Sequence, residues 1–209
     1  GIFYSLDLVL LLVKFHLLHT RDWNSRVSHT VSIVSFVVCI CAAGTLGLVF
    51  GMMAMRPAWY NPVMPVYFML TGFVTAIAMI LFTVNVTGGR PEESKAATEI
   101  LDVSLPRLFL VTLLGVFAMD VGRMITGLWS NFEGFEVFSL RVSGPLPLFH
   151  IEFWLGLVVP MLLMSTAALR ASAFGQLVAA ALALLGMLAG RLDLLIIGQQ
   201  VPLFKGTYF

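Results

Sequence analysis

Charge is what this sequence lacks most. Asp, Glu, Lys and Arg make up 11% of its 209 residues, against roughly a quarter in an ordinary soluble domain. A chain that is 59% hydrophobic with so little charge would aggregate in water, so its solvent is lipid. The formal net charge is +1, and the basic clustering that marks a nucleic-acid partner is missing. Only two cysteines occur, Cys39 and Cys41. At i, i+2 on a helix they point to different faces, which argues against a disulfide or a metal site and leaves packing as their role. The alternating pattern of a membrane barrel is absent. Of the four histidines, none lies near the centre of an apolar run, whereas a bis-histidine haem needs ligands facing each other from two helices. The chain is expected to bind neither haem nor metal.

What is there is a series of six apolar runs, each about the length that crosses a hydrocarbon core. They cover Ile2–Leu18, Val31–Met55, Val63–Val86, Leu108–Trp129, Phe149–Leu169 and Leu177–Gln200. In lipid each must satisfy its own backbone, so each is expected to be helical. The fold class is all-α: a polytopic transmembrane bundle of six spanning helices, in a single domain over residues 1–209. Because the first run starts almost at Gly1, further helices are expected beyond both ends.

The joins differ in character. Residues 20–30 are polar and basic. Residues 87–107 are longer and mixed in charge, with a surface helix expected from Glu92 to Leu101. Residues 131–148 carry Phe132, Phe135 and Phe138 at helical spacing and then Pro145 and Pro147, which fits a segment lying in the interface as a cap. Arg21, Arg26, Arg90, Lys95, Arg107 and Arg170 fall on one side; Arg56, Arg141 and Lys205 fall on the other. The positive-inside rule then puts Arg56 and the Phe-rich join outside.

An ionisable residue inside a span costs about 2.5–3.5 kcal/mol on insertion scales, so each needs a reason. Asp120 and Arg123, at i, i+3, share a helix face and can pair. They are either a structural ion pair or part of a proton or quinone path. Arg191 and Asp193 point to different faces and need separate partners. Glu152, near the start of the fifth run, suits a helix N-terminus and also suits a proton acceptor beside the Phe-rich cap. Asp7 and Lys14 share a face of the first run, where Lys14 is near enough to the end to snorkel. His16 and His19 end that run near the interface, where imidazole titrates close to neutrality.

One polar stretch between two spans carries more identity than any other. Leu46-Gly47-Leu48-Val49-Phe50-Gly51 leads into Arg56-Pro57-Ala58-Trp59-Tyr60-Asn61-Pro62-Val63-Met64-Pro65-Val66-Tyr67-Phe68. This stretch resembles the NrfD/PsrC family, the integral-membrane subunits of polysulfide reductase-type respiratory complexes. In that family a helix commonly ends in Arg-Pro-x-Trp-x-x-Pro-x-x-Pro-x-x-Phe. Phe153-Trp154-Leu155-Gly156 with Pro160, and Gly190-Arg191-Leu192-Asp193 with Gly198-Gln199, resemble its last helices more weakly. Two departures stand out. The tyrosine that many members carry about ten residues before the Arg-Pro pair is missing, the region reading Gly44-Thr45-Leu46-Gly47. Asp193 stands where Asn is more usual.

The resemblance implies a quinone-reactive subunit (menaquinone or ubiquinone) in the cell inner membrane. It would exchange electrons with an iron–sulfur subunit of a larger complex, and some relatives are proposed to conduct protons. Quinol oxidation releases two electrons and two protons, so acceptors are needed beside the ring. Asp7, His16 and His19 are the candidate catalytic group. Asp120, Arg123, Glu152, Arg191 and Asp193 are the candidate proton path. Arg56, Trp59 and Tyr60 are candidates for a quinone pocket or a partner interface. The rival readings are an ion-translocating transporter and a non-catalytic membrane anchor.

Overall fold

A computed structural model describes residues 2–19, 26–53, 56, 58–88, 99–129, 132–144 and 146–200. Eight helices follow in order: α1 (Ile2–His19), α2 (Arg26–Gly51), α3 (Met64–Thr87), α4 (Ile100–Leu128), α5 (Phe132–Ser143), α6 (Leu148–Ser165), α7 (Ala167–Ala171) and α8 (Ala173–Gln200). The described residues contain no strand. Five helices, α2, α3, α4, α6 and α8, are long and apolar enough to cross a membrane. The segment expected as the first span is the helix α1, packed on α2. Of the surface helix expected at Glu92–Leu101, residues 92–98 lie outside the described residues, and Ile100 and Leu101 belong to the start of α4.

Two helices contain a wider, π-type turn, and both owe it to the same residue type. In α4 the stretch Ile100–Ser104 ends just before Leu105-Pro106; in α6 the stretch Ile151–Val158 ends just before Val159-Pro160. Proline has no N–H to give the carbonyl four residues back. The ladder ahead of it shifts instead to five-residue bonds, Leu105 N–H to Ile100 O and Val159 N–H to Trp154 O. Such turns are rare and often sit at functional sites.

The core lies where α8 meets α3 and α6, with α4 closing the other side. α8 can approach closely because its inner face is made of small residues, Ala179, Ala183, Gly186 and Gly190 among them, all buried. Small residues at a helix crossing let backbones touch. At Gly186 the contact is backbone on backbone: a Cβ there would collide with Gly156 of α6. α7 is a brief interruption. Thr166 and Ser172 are extended, and Ser172 Oγ accepts the Gly175 N–H at 3.0 Å to start α8.

The turn between α2 and α3 is tied down at both ends. Trp59 and Tyr60 N–H both reach Arg56 O at 2.9 Å, and Asn61 Oδ1 accepts the Val63 N–H at 2.9 Å, a side-chain turn typical of Asn. Arg56 donates to Gln199 O at 3.0 Å, placing a cation at the negative end of α8. The turn, the end of α8, α5 and the start of α6 thus share one end of the bundle. The last residues of α1 and the first of α2 share the opposite end, where Lys14 Nζ donates to Ser28 Oγ (2.6 Å) and Ser32 Oγ (2.7 Å).

Candidate functional site

A cluster of ionic side chains is buried below the turn, contributed by five helices. At its centre is Arg141 of α5. Its Nη2 lies 2.8 Å from Glu152 Oε2 and 3.7 Å from Asp120 Oδ1, and its Nε lies 2.9 Å from Asp193 Oδ2. One guanidinium therefore pairs with carboxylates from α4, α6 and α8. Its planar fork suits this task where an ammonium would not. Burial works against the charge of Arg141, but Glu152 and Asp120 foremost hold its pKa above the ordinary arginine value. Arg123 adds a second cation, 3.4 Å from Asp120 Oδ1.

The carboxylate of Glu152 is held at both oxygens. Arg141 takes one, and the Tyr67 hydroxyl donates to the other at 2.6 Å. Glu152 is 1% exposed, a burial that only full pairing makes tolerable. It fits because α8 presents Gly190 beneath it: a Cβ at that position would overlap the carboxylate. Tyr67 in turn lies under the Arg123 guanidinium, 4.7 Å from its ring centroid. Arg191 sits apart from the acids. It donates to Thr71 Oγ1 at 2.5 Å and lies 3.9 Å over the Phe68 ring. Asp120 Oδ2 and Arg191 Nη1 are buried without a hydrogen-bond partner among the described residues.

A cavity of about 260 Å³ opens between the α2–α3 turn, the end of α4 and α5. Tyr60, Asn61, Arg123, Phe138, Arg141 and Phe149 line it. Beside it lies a void of about 20 Å³ bounded by Tyr67, Arg123, Arg141 and Asp193, room enough for a water. Polar groups thus run from the bundle surface to the carboxylates. Among the described residues no group of three His, Cys, Asp or Glu is placed to hold a metal ion.

The expected residues divide into two sets. Asp120, Arg123, Glu152 and Asp193 come together in the cluster, with Arg191 at its edge. Asp7 and His16 do not join them. Asp7 Oδ1 accepts the Ser35 hydroxyl at 3.2 Å across α1 and α2, and His16 is on the exposed side of α1. The His19 side chain lies outside the described residues. Of the three turn residues only Tyr60 lines the cavity. Arg56 caps α8. Trp59 is buried against Gly198, with its indole N–H on Leu194 O at 2.7 Å.

Arg141 and Tyr67 were not singled out from the sequence. Arg141 counted there only as a loop charge. It stands three residues after Phe138, and nothing in that spacing marks it as buried. Tyr67 is the one aromatic of α3 with a hydroxyl, a signal that its apolar neighbours masked.

A bundle of membrane-crossing helices, with a buried ionic cluster reached from one end, defines a multi-pass integral membrane protein. The polysulphide reductase NrfD family matches residues 7–202, nearly the whole chain, and this protein belongs to that family of respiratory membrane subunits. No curated protein matches it.

Proposed function

We propose that this chain is the quinone-reactive subunit of a respiratory oxidoreductase in the cell inner membrane, and that the quinone headgroup is taken in the cavity beneath α5. The observation that carries the reading is the position of that cavity. Its wall includes two guanidiniums, and the buried carboxylates of Asp193 and Glu152 stand immediately behind them. Its volume and the aromatic rings of Tyr60, Phe138 and Phe149 suit a planar ring. Arg123 and Asn61 supply donors for ring oxygens.

A bound quinol supplies two electrons and two protons. The electrons leave for an iron–sulfur subunit docked at the turn end of the bundle, with either menaquinone or ubiquinone as the pool. The protein's share is to orient the ring and hold the protons. Asp193, which lines the inner void, is the first carboxylate of the proposed route. Glu152 is the next, linked to it through Arg141. Arg141 pairs with both, through Nε to Asp193 and Nη2 to Glu152. This reading moves the chemistry from His16, His19 and Asp7 to the opposite end of the bundle. The buried charges also support the rival reading, an ion-translocating transporter, whereas a passive anchor would have no use for the cavity.

The test is oxidation of a quinol analogue by the purified complex. Thr126→Phe and Val142→Trp, which fill the cavity, and Asp193→Asn are compared with His16→Ala and Asp7→Asn. The reading requires the first set to impair turnover and the second to spare it. The reverse pattern would return the site to the histidine end, and no effect of either set would favour the anchor.

A further inference from the structure

We infer that the ionic cluster exchanges protons with the turn end of the bundle alone, because the helices that hold it are sealed by a dry apolar layer towards the opposite end. The inference rests on the quinol reading only for where the protons come from; the seal itself is a property of the core.

On the open side, the cavity and its inner void lead from the surface to Asp193, Arg141 and Tyr67. The groups facing one another there are Tyr67 of α3, Asp120 and Arg123 of α4, Arg141 of α5, Glu152 of α6, and Arg191 and Asp193 of α8.

On the far side the picture changes within one helical turn. Val74, Ala78, Leu113, Val116, Leu157 and Ala183, from four different helices, are each 0% exposed. Between the four helices of this layer, the next polar pair among the described residues is Asn85 and Gln176, joined at 3.1 Å near the opposite end. Along α8, Leu177 to Gly190 is apolar without a break, roughly 21 Å of helix at 1.5 Å per residue. Along α3 the inward hydroxyl steps end at Thr75, whose Oγ1 donates back to Thr71 O at 2.8 Å, and Thr83 and Thr87 are on the exposed side. Asn85 stands roughly 15 Å further on. A proton moves between groups in hydrogen-bond contact, about 3 Å apart. Side chains packed this closely leave no room for a chain of waters, and the layer offers none the polar partners it would need.

Proton release would then be scalar. Protons taken from a quinol return to the face from which the cavity opens, and the described core offers them no way across the membrane. The transporter reading fails by the same geometry.

The test uses the full chain in its complex, reconstituted into vesicles with a pH indicator inside. A potassium diffusion potential set with valinomycin drives protons through any open path. The expected flux equals that of protein-free vesicles, and a flux above that level overturns the inference. A second measurement does not depend on partner subunits. In a Cys39→Ser, Cys41→Ser background, Val137→Cys on the cavity wall and Ala183→Cys in the layer are exposed to a water-soluble thiol reagent. Labelling of Val137→Cys with Ala183→Cys untouched is expected; labelling of Ala183→Cys from either face overturns the inference. Quinol turnover measured on the same vesicles separates the two ideas. Baseline flux with no quinol turnover leaves the seal standing and removes the quinol reading, whereas turnover with a leaking layer does the opposite.

Discussion

Tyr67 of α3 donates its phenolic hydroxyl to Glu152 of α6 at 2.6 Å, eighty-five positions apart in the chain. The bond ties the helix that follows the Arg-Pro turn to the helix that follows the Phe-rich segment. It also leaves Glu152 with no open oxygen, because Arg141 holds the other at 2.8 Å.

Removing the phenol is therefore expected to cost more than an ordinary hydrogen bond. Bonds to a charged group contribute about 1.5–3 kcal/mol, so Tyr67→Phe should destabilise the bundle by about that much. A shift of the unfolding midpoint in detergent, measured against wild type, checks it. An unchanged midpoint would mean that the Tyr67–Glu152 bond adds nothing to the stability of the bundle.

Arg141 carries a larger share. Taking one partner from a buried ion pair costs about 3–5 kcal/mol, because the remaining charges are stranded. Arg141→Ala strands three carboxylates with only Arg123 beside them. The expected outcome is poor accumulation in the membrane and a lower thermal midpoint. Arg141→Met combined with Glu152→Gln and Asp193→Asn should recover part of the loss, and a mutant cycle would measure the coupling.

The crossing of α6 and α8 gives a steric prediction. Gly186→Ala sets a methyl against the Gly156 backbone, which cannot move aside, and overpacking costs about 1–3 kcal/mol. Gly122→Ala, where nothing lies within 4 Å of the added methyl, should be neutral or slightly stabilising. Comparing the two thermal midpoints tests the packing independently of any chemistry.

Filling the cavity should weaken substrate binding without unfolding the chain. Thr126→Phe and Val142→Trp alter lining residues at an open mouth. A tenfold rise in KM for a quinol analogue, equivalent to about 1.4 kcal/mol, is the expected outcome, with the thermal midpoint unchanged. His16→Ala is expected to leave KM as it was.

The helical bundle was legible because each span is an apolar run of sufficient length. Its boundaries were less so. α4 begins at Ile100 rather than Leu108, since Asp102, Pro106 and Arg107 interrupt the apolar run while the π turn carries the backbone through them. The fifth span ends at Ser165 rather than Leu169, where Thr166 turns extended. Within the site, the Asp120–Arg123 pair was readable from its spacing, and Asp193 and Arg191 do take separate partners. Arg141 was not readable as a buried group. Its depth depends on α5 folding back under the α2–α3 turn, a long-range packing event that no local pattern records. Asp7 and Lys14 were flagged by their cost in lipid, a cost that the serines of α2 offset.

The small inner face of α8 has one interruption with a consequence for alignment. Gly186 meets the α6 backbone, Gly190 meets Glu152, and Gly198 meets the Trp59 indole. Spaced by four, the series would include position 194, but Leu194 stands there. A slide of α8 by one turn, about 5.4 Å, in one direction would push Leu194 into Glu152, and in the other direction into Trp59. The helix has one register in which all three notches are filled. The leucine that breaks the glycine series keeps the arginine cluster and the proline turn at a fixed height relative to each other.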